Sequence, residues 1–224
     1  MALLTACANL FLRGDLKPLE QALEGTHRQR IPSALALNHR IGIDPKKQTP
    51  DDFELPKGKR LSSPDGSVVW NATVKEKSHM VLHTPATRGV WGLVANQTFK
   101  LGGLTLSVGK TERNYAAIIL TSLDGQPLES SKRMLLTATG SAENLDMEWN
   151  FERTSVSNKW GRGPTQINLI HAKITLEGNV NEVHALDGVG KRLGQIEVTK
   201  GDGRASFSIG KPEAPTLWYE VVAE

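Results

Sequence analysis

The sequence predicts an all-β protein, an antiparallel β-sandwich of jelly-roll or immunoglobulin-like layers with a short helical N-terminal segment. Three observations predict it. From about residue 65 onward, short apolar or alternating runs recur at strand-plus-turn intervals of about eight to twelve residues. Turn pairs that tolerate positive φ separate them, among them Asp124-Gly125, Asp187-Gly188 and Asp202-Gly203. The intervals leave no room for the crossover helices that parallel strands need.

Taken in order, residues 1–30 read as a helical tail. Positions 2–12 are apolar on nearly every face, as in a helix enclosed by a larger protein, and a second short helix is expected over 16–23 with Asp15 as its N-cap. The stretch Met1-Ala2-Leu3-Leu4-Thr5-Ala6-Cys7 superficially resembles a lipoprotein signal. It lacks a basic start, and its apolar run is shorter than the ~7–15 residues of such signals, so a buried helix end is the preferred reading. Residues 31–64 read as one strand, over 31–43, followed by a linker or long surface loop rich in Pro and Lys. Residues 65–224 form the sandwich region, with room for two sub-sandwiches. Strands are expected over 67–71, 79–84, 89–95, 104–108, 115–121, 132–139, 147–150, 166–170, 172–176, 182–186, 194–199, 205–209 and 217–222. The runs either side of Asp124-Gly125-Gln126-Pro127 are apolar almost throughout, which reads as two buried strands at the middle of the sandwich core.

Composition narrows the function classes. With 38% hydrophobic and 23% charged residues the chain is that of an ordinary globular domain, and its net charge of +3 is mixed along the sequence. A nucleic-acid reader shows a basic stripe instead, so no nucleic-acid partner is expected. No run reaches the ~18 apolar residues of a membrane span, so no membrane partner is expected either. The single cysteine, Cys7, excludes an intramolecular disulfide and a thiolate zinc site.

Several stretches carry a resemblance. Gly66-Ser67-Val68-Val69-Trp70-Asn71, the corner His83-Thr84-Pro85-Ala86-Thr87-Arg88, the segment 122–131, Glu143-Asn144, Trp149-Asn150, Trp160-Gly161-Arg162-Gly163-Pro164 and the closing Thr216-Leu217-Trp218-Tyr219-Glu220 follow in order over about 150 residues. Together they resemble the all-β C-terminal region that follows the (β/α)8 barrel in bacterial glycoside hydrolases of the clan-A, cellulase-like kind. The resemblance implies that residues 1–30 close a barrel whose body lies outside this sequence, with that barrel as partner. It also implies a secreted or periplasmic parent enzyme acting on plant or microbial polysaccharide. The glutamates that catalyse in that family belong to the barrel, so the chain is expected to be inactive alone, without catalytic residues, metal or cofactor of its own. Bracing the barrel is the expected role. An independent carbohydrate-binding module is the alternative, and an enzyme in its own right a distant third.

Carboxylates and histidines are the side chains that could carry chemistry. Glu143, Asp146, Glu148 and Glu152 fall on expected strand edges and turns and read as a solvated rim. His79 and His83 share a strand face without a third metal ligand near them in sequence. Sugar recognition needs exposed aromatic rings beside polar groups. Trp70, Trp91 and Trp218 sit in alternating strands and read as core. The candidate carbohydrate-binding residues are therefore Trp160, Arg162, Trp149 and Asn150. A tryptophan in the loop Asn158-Lys159-Trp160-Gly161-Arg162 can stack a sugar or plug the end of the sandwich, and both readings stand. Residues 1–12, without their barrel, are expected to self-associate or to fold back on the sandwich.

Overall fold

The computed structural model describes Gly14 and residues 22–25, 33–43 and 57–224. A short parallel ribbon joins β1 (Ala22–Gly25) to β2 (Arg40–Ile43), with a 3-10 turn at Ser33–Leu37 between them. Then come β3 (Arg60–Ser62), β4 (Val68–Asn71), β5 (His79–His83), β6 (Thr87–Leu93), β7 (Thr98–Leu101), β8 (Leu104–Val108), β9 (Tyr115–Ser122) and β10 (Arg133–Thr139). They are followed by β11 (Ala142–Leu145), β12 (Arg162–Ile167), β13 (Ala172–Glu177), β14 (Val180–Leu186), β15 (Arg192–Ile196), β16 (Thr199–Gly201), β17 (Arg204–Ile209) and β18 (Trp218–Ala223).

Two antiparallel sheets enclose one core. The larger runs in the order β15-β14-β18-β10-β9-β6-β5-β4-β3, and the smaller β16-β17-β13-β8-β7. Val90, Ile118, Leu120, Leu136, Val183, Tyr219 and Val221 of the large sheet meet Leu104, Leu106, Ile174, Phe207 and Ile209 of the small one. The small sheet shows period-two burial, as a layer with one wet face must: on β8, Leu104, Leu106 and Val108 are buried while Thr105 and Ser107 are not. By contrast β9 and β10 are buried almost throughout and occupy the middle of the large sheet. The expectation drawn from the runs flanking Asp124 is met.

The corner after β17 is pinned from the closing strand. Tyr219 is buried, its hydroxyl accepting from the Gly210 N–H at 3.0 Å, and burial raises its pKa while that hydrogen bond opposes the shift. Gly210 has φ +80°, and a Cβ there would lie 2.3 Å from the Ile170 carbonyl oxygen, so the position excludes a side chain.

Several expectations need correction. The helices expected over 2–12 and most of 16–23 lie outside the described residues, but Ala22 and Leu23 belong to β1, so a second helix cannot run to residue 23. The helical turns described are 3-10 turns at Ser33–Leu37, Lys75–Lys77 and Glu112–Asn114, all beyond residue 30. Of the strand expected over 31–43, the described residues 33–43 show strand at Arg40–Ile43 and a 3-10 turn at Ser33–Leu37, and Arg60–Ser62, expected as linker, pairs as the edge of the large sheet. Residues 147–150 form no strand; pairing occurs just before them, in β11, because Asn144 and Asn150 divert the chain into turns. Thr98–Leu101 was not expected as a strand, although its burial alternates strictly. Trp70, Trp91 and Trp218 are half-buried and lie outside the shared core. Register puts Leu61, Trp70, Met80 and Trp91 side by side on the large sheet's outer face, opposite Val90. Alternation marks two faces of a strand, and both faces here are apolar enough that it does not say which turns inward.

Candidate functional site

The longest excursion from the sandwich is an arm between β10 and β13. Its base is the β11–β12 pair, whose register shifts between Asn144 and Leu145 so that Leu145 faces Arg162 and Gly163-Pro164 are passed over. Asn144 ties the base together: its amide donates to the Trp160 carbonyl at 3.0 Å, and its side-chain oxygen accepts from the Thr165 hydroxyl at 2.9 Å. Beyond the base the chain continues as an irregular hairpin. The Glu148 N–H reaches the Lys159 carbonyl at 3.2 Å and the Asn150 N–H the Ser155 carbonyl at 2.9 Å, which leaves 151–154 as the tip.

Glu143 is the hub. One of its oxygens, Oε1, accepts from the Trp149 indole N–H at 3.0 Å and from Arg153 at 2.7 Å, and also pairs with Arg113, which reaches in from the 3-10 turn before β9. Both guanidiniums lie over the Trp149 ring, Arg153 at 5.2 Å and Arg113 at 5.9 Å from its centroid. Other charges pair locally: Arg162 with Asp146 at 2.8 Å, and Lys159 with Glu148.

Backbone strain concentrates in the same place. Arg113, Asp146, Arg153 and Ser157 all have φ between +49° and +60°. Each such non-glycine residue costs about 1–2 kcal/mol unless its surroundings impose it. Three of them, Arg113, Asp146 and Arg153, also carry ion pairs.

The four sequence candidates all fall on this arm, but their states differ. Trp160 is 63% exposed, so it does not plug the sandwich. Its position is nevertheless fixed, since Asn144 grips its carbonyl, and Gly161 with φ +68° follows it so closely packed that a Cβ would lie 2.1 Å from the Leu145 carbonyl oxygen. Arg162 is exposed and oriented by Asp146. Trp149 is half-buried, its N–H and ring engaged by Glu143 and the two arginines. Asn150 serves the turn: its oxygen accepts from the N–H groups of Thr154 at 2.8 Å and Ser155 at 3.2 Å. The structure thus brings Trp160 and Arg162 to the surface and spends Trp149 and Asn150 on building it.

Sequence reasoning missed Phe151, 99% exposed at the tip, and the arginines that cage Trp149. An available signal for Phe151 was its setting in Trp149-Asn150-Phe151-Glu152-Arg153, an aromatic among turn-forming and charged residues. The rim carboxylates are engaged, Glu143, Asp146 and Glu148 by cations and Glu152 by the Asn150 amide at 3.3 Å. Among the described residues no three His, Cys, Asp or Glu side chains gather as a metal site, and no helix is long and apolar enough to cross a membrane. No protein-family model, curated protein or solved structure matches the chain.

Proposed function

We propose that the chain is a non-catalytic β-sandwich that contacts polysaccharide through its arm, as part of a glycoside hydrolase. The observation that carries this reading is Trp160: a large ring left open to water on a backbone that is tightly fixed. A ring presented from a fixed backbone suits stacking against a pyranose face, because little backbone freedom remains to be lost on binding. The exposed Arg162–Asp146 pair, two residues along from Trp160, offers donors and acceptors for hydroxyl groups. The enzyme class rests on the resemblance of the quoted motifs alone. The same proposal includes jelly-roll or immunoglobulin-like layering, an N-terminal helical segment and a (β/α)8 barrel as neighbour.

Bracing that barrel is the second reading. It is favoured by the half-buried outward row of Leu61, Trp70, Met80 and Trp91, an apolar strip outside the shared core that would suit a neighbouring domain. Affinity electrophoresis of the full chain decides between them. Retardation in gels containing glucan or xylan, lost in Trp160→Ala, is expected from sugar contact. Equal mobility with and without every polysaccharide leaves bracing as the better account.

A further inference from the structure

We infer that the arm's ligand is a neutral polysaccharide spanning more than one sugar ring, and that Phe151 is a second stacking platform distal to Trp160. This rests on the reading of the arm as a sugar-contacting surface.

The first argument is the exposure of Phe151. A phenyl ring 99% exposed at a hairpin tip contributes nothing to the fold, and leaving it in water is unfavourable. The tip that carries it is nonetheless tightly built. Asn150 closes it, its side chain accepting from the Thr154 and Ser155 N–H groups and its carbonyl from the N–H of Arg153, which is left-handed and ion-paired to Glu143. Strain of this kind gathers where a surface must be presented in one geometry.

The second argument is spacing. Lys159, beside Trp160, pairs with Glu148, and Phe151 lies three residues further out along the same hairpin. Two backbone hydrogen-bonded levels, Glu148–Lys159 and Asn150–Ser155, thus separate the ring at the tip from the ring at the base of the hairpin. A ligand that touches both rings is therefore an oligomer.

The third argument is charge. Although the whole chain is net +3, each cation of the arm lies against a carboxylate: Arg153 and the incoming Arg113 share Glu143, Arg162 pairs with Asp146 and Lys159 with Glu148. A surface that recognises uronate or sulfated chains leaves guanidiniums unpaired for the anion. This one has satisfied them, and the donors it retains suit hydroxyl groups.

The test is affinity electrophoresis of the full chain, Phe151→Ala and Trp160→Ala in gels of neutral polymers (glucan, xylan, mannan) and acidic ones (polygalacturonate, alginate). Neutral gels should retard the parent chain and acidic gels should not. Phe151→Ala should weaken binding about tenfold, as loss of one stacking contact does, and oligosaccharides should compete where monosaccharides do not. Because Phe151 touches so little protein, unchanged melting of Phe151→Ala excludes misfolding as the cause. Retardation by acidic polymers only, or Phe151→Ala binding like the parent while Trp160→Ala does not bind, overturns this inference and leaves the sugar-contact reading standing. No retardation on any gel removes both.

Discussion

Trp149 donates its indole N–H to Glu143 at 3.0 Å, into the same carboxylate oxygen that accepts from Arg153. One acceptor thereby fixes an aromatic ring and the residue that turns the tip. Replacing it with alanine should leave two guanidiniums and an indole N–H without their partner, at a cost of about 1–2 kcal/mol to the arm. Because the arm contributes little to the shared core, Glu143→Ala should speed amide exchange and proteolysis within 146–161. Exchange on β9 and β10 should stay as slow as in the parent chain.

Acid sensitivity should come chiefly from two of the depressed carboxylates, Glu220 and Asp124. Glu220 is only 4% exposed; burial pushes its pKa up, but hydrogen bonds from Arg192 at 2.7 Å and Arg133 at 2.6 Å outweigh that and hold it below the ordinary value. Asp124 is likewise depressed. The desolvation that would raise it is outweighed by the Ser122 hydroxyl, the Lys132 N–H, the Ser131 hydroxyl and the Gln126 N–H. A group whose folded pKa lies below its unfolded one contributes stability above the unfolded value, and that contribution is lost as pH falls through the folded one. The melting temperature should therefore be level from neutral pH to about 5 and fall progressively below about 4.5. Glu220→Gln and Asp124→Asn should each lower it at neutral pH and flatten its acid slope; a parallel shift with the slope intact would contradict this assignment.

Arg88 makes a case in the opposite direction. It is 7% exposed and pairs with Glu129, but its Nε has no hydrogen-bond partner. Removing it frees Glu129, which is more than half exposed, to regain water at small cost. Arg88→Met should thus stay within about 1 kcal/mol of the parent stability in denaturant titration. Gly102→Ala should cost about 1–2 kcal/mol, since Gly102 has φ +62° and its new Cβ would lie 3.0 Å from an Arg88 guanidinium nitrogen. Combining the two should recover only the steric part.

These residues also show what the sequence could and could not reveal. Strands buried on both faces, such as β9 and β10, were legible because a nearly unbroken apolar run has few other uses, and Leu104–Val108 was legible to the residue from its alternation. The arm was legible only as composition. Trp160 and Arg162 stood out in a loop of glycines, yet their exposure depends on Asn144, sixteen and eighteen residues away, and on a register shift that no local pattern encodes. The cage around Trp149 is less local still, since Arg113 enters it from the far side of β9 and β10. The outward tryptophans were misplaced for a simpler reason: period two identifies a face without saying what lies against it.

Gly161 offers the sharpest separation of site from scaffold. Its φ of +68° and its approach to the Leu145 carbonyl and the Met147 N–H leave no volume for a methyl group, so Gly161→Ala must push β12 away from the Leu145 turn. That displacement would break the Asn144–Trp160 hydrogen bond and the Arg162–Asp146 pair together, because both span the same gap. The shared core does not include any residue from 141–168, so the sandwich should fold and its melting temperature should change by no more than a few degrees. Retardation on neutral polysaccharide gels should nevertheless be lost as completely as in Trp160→Ala, even though Trp160 is present. If Gly161→Ala were retarded like the parent chain, the fixed backbone beneath the Trp160 ring would not matter to the ligand, and exposure of an aromatic ring on a looser arm would suffice.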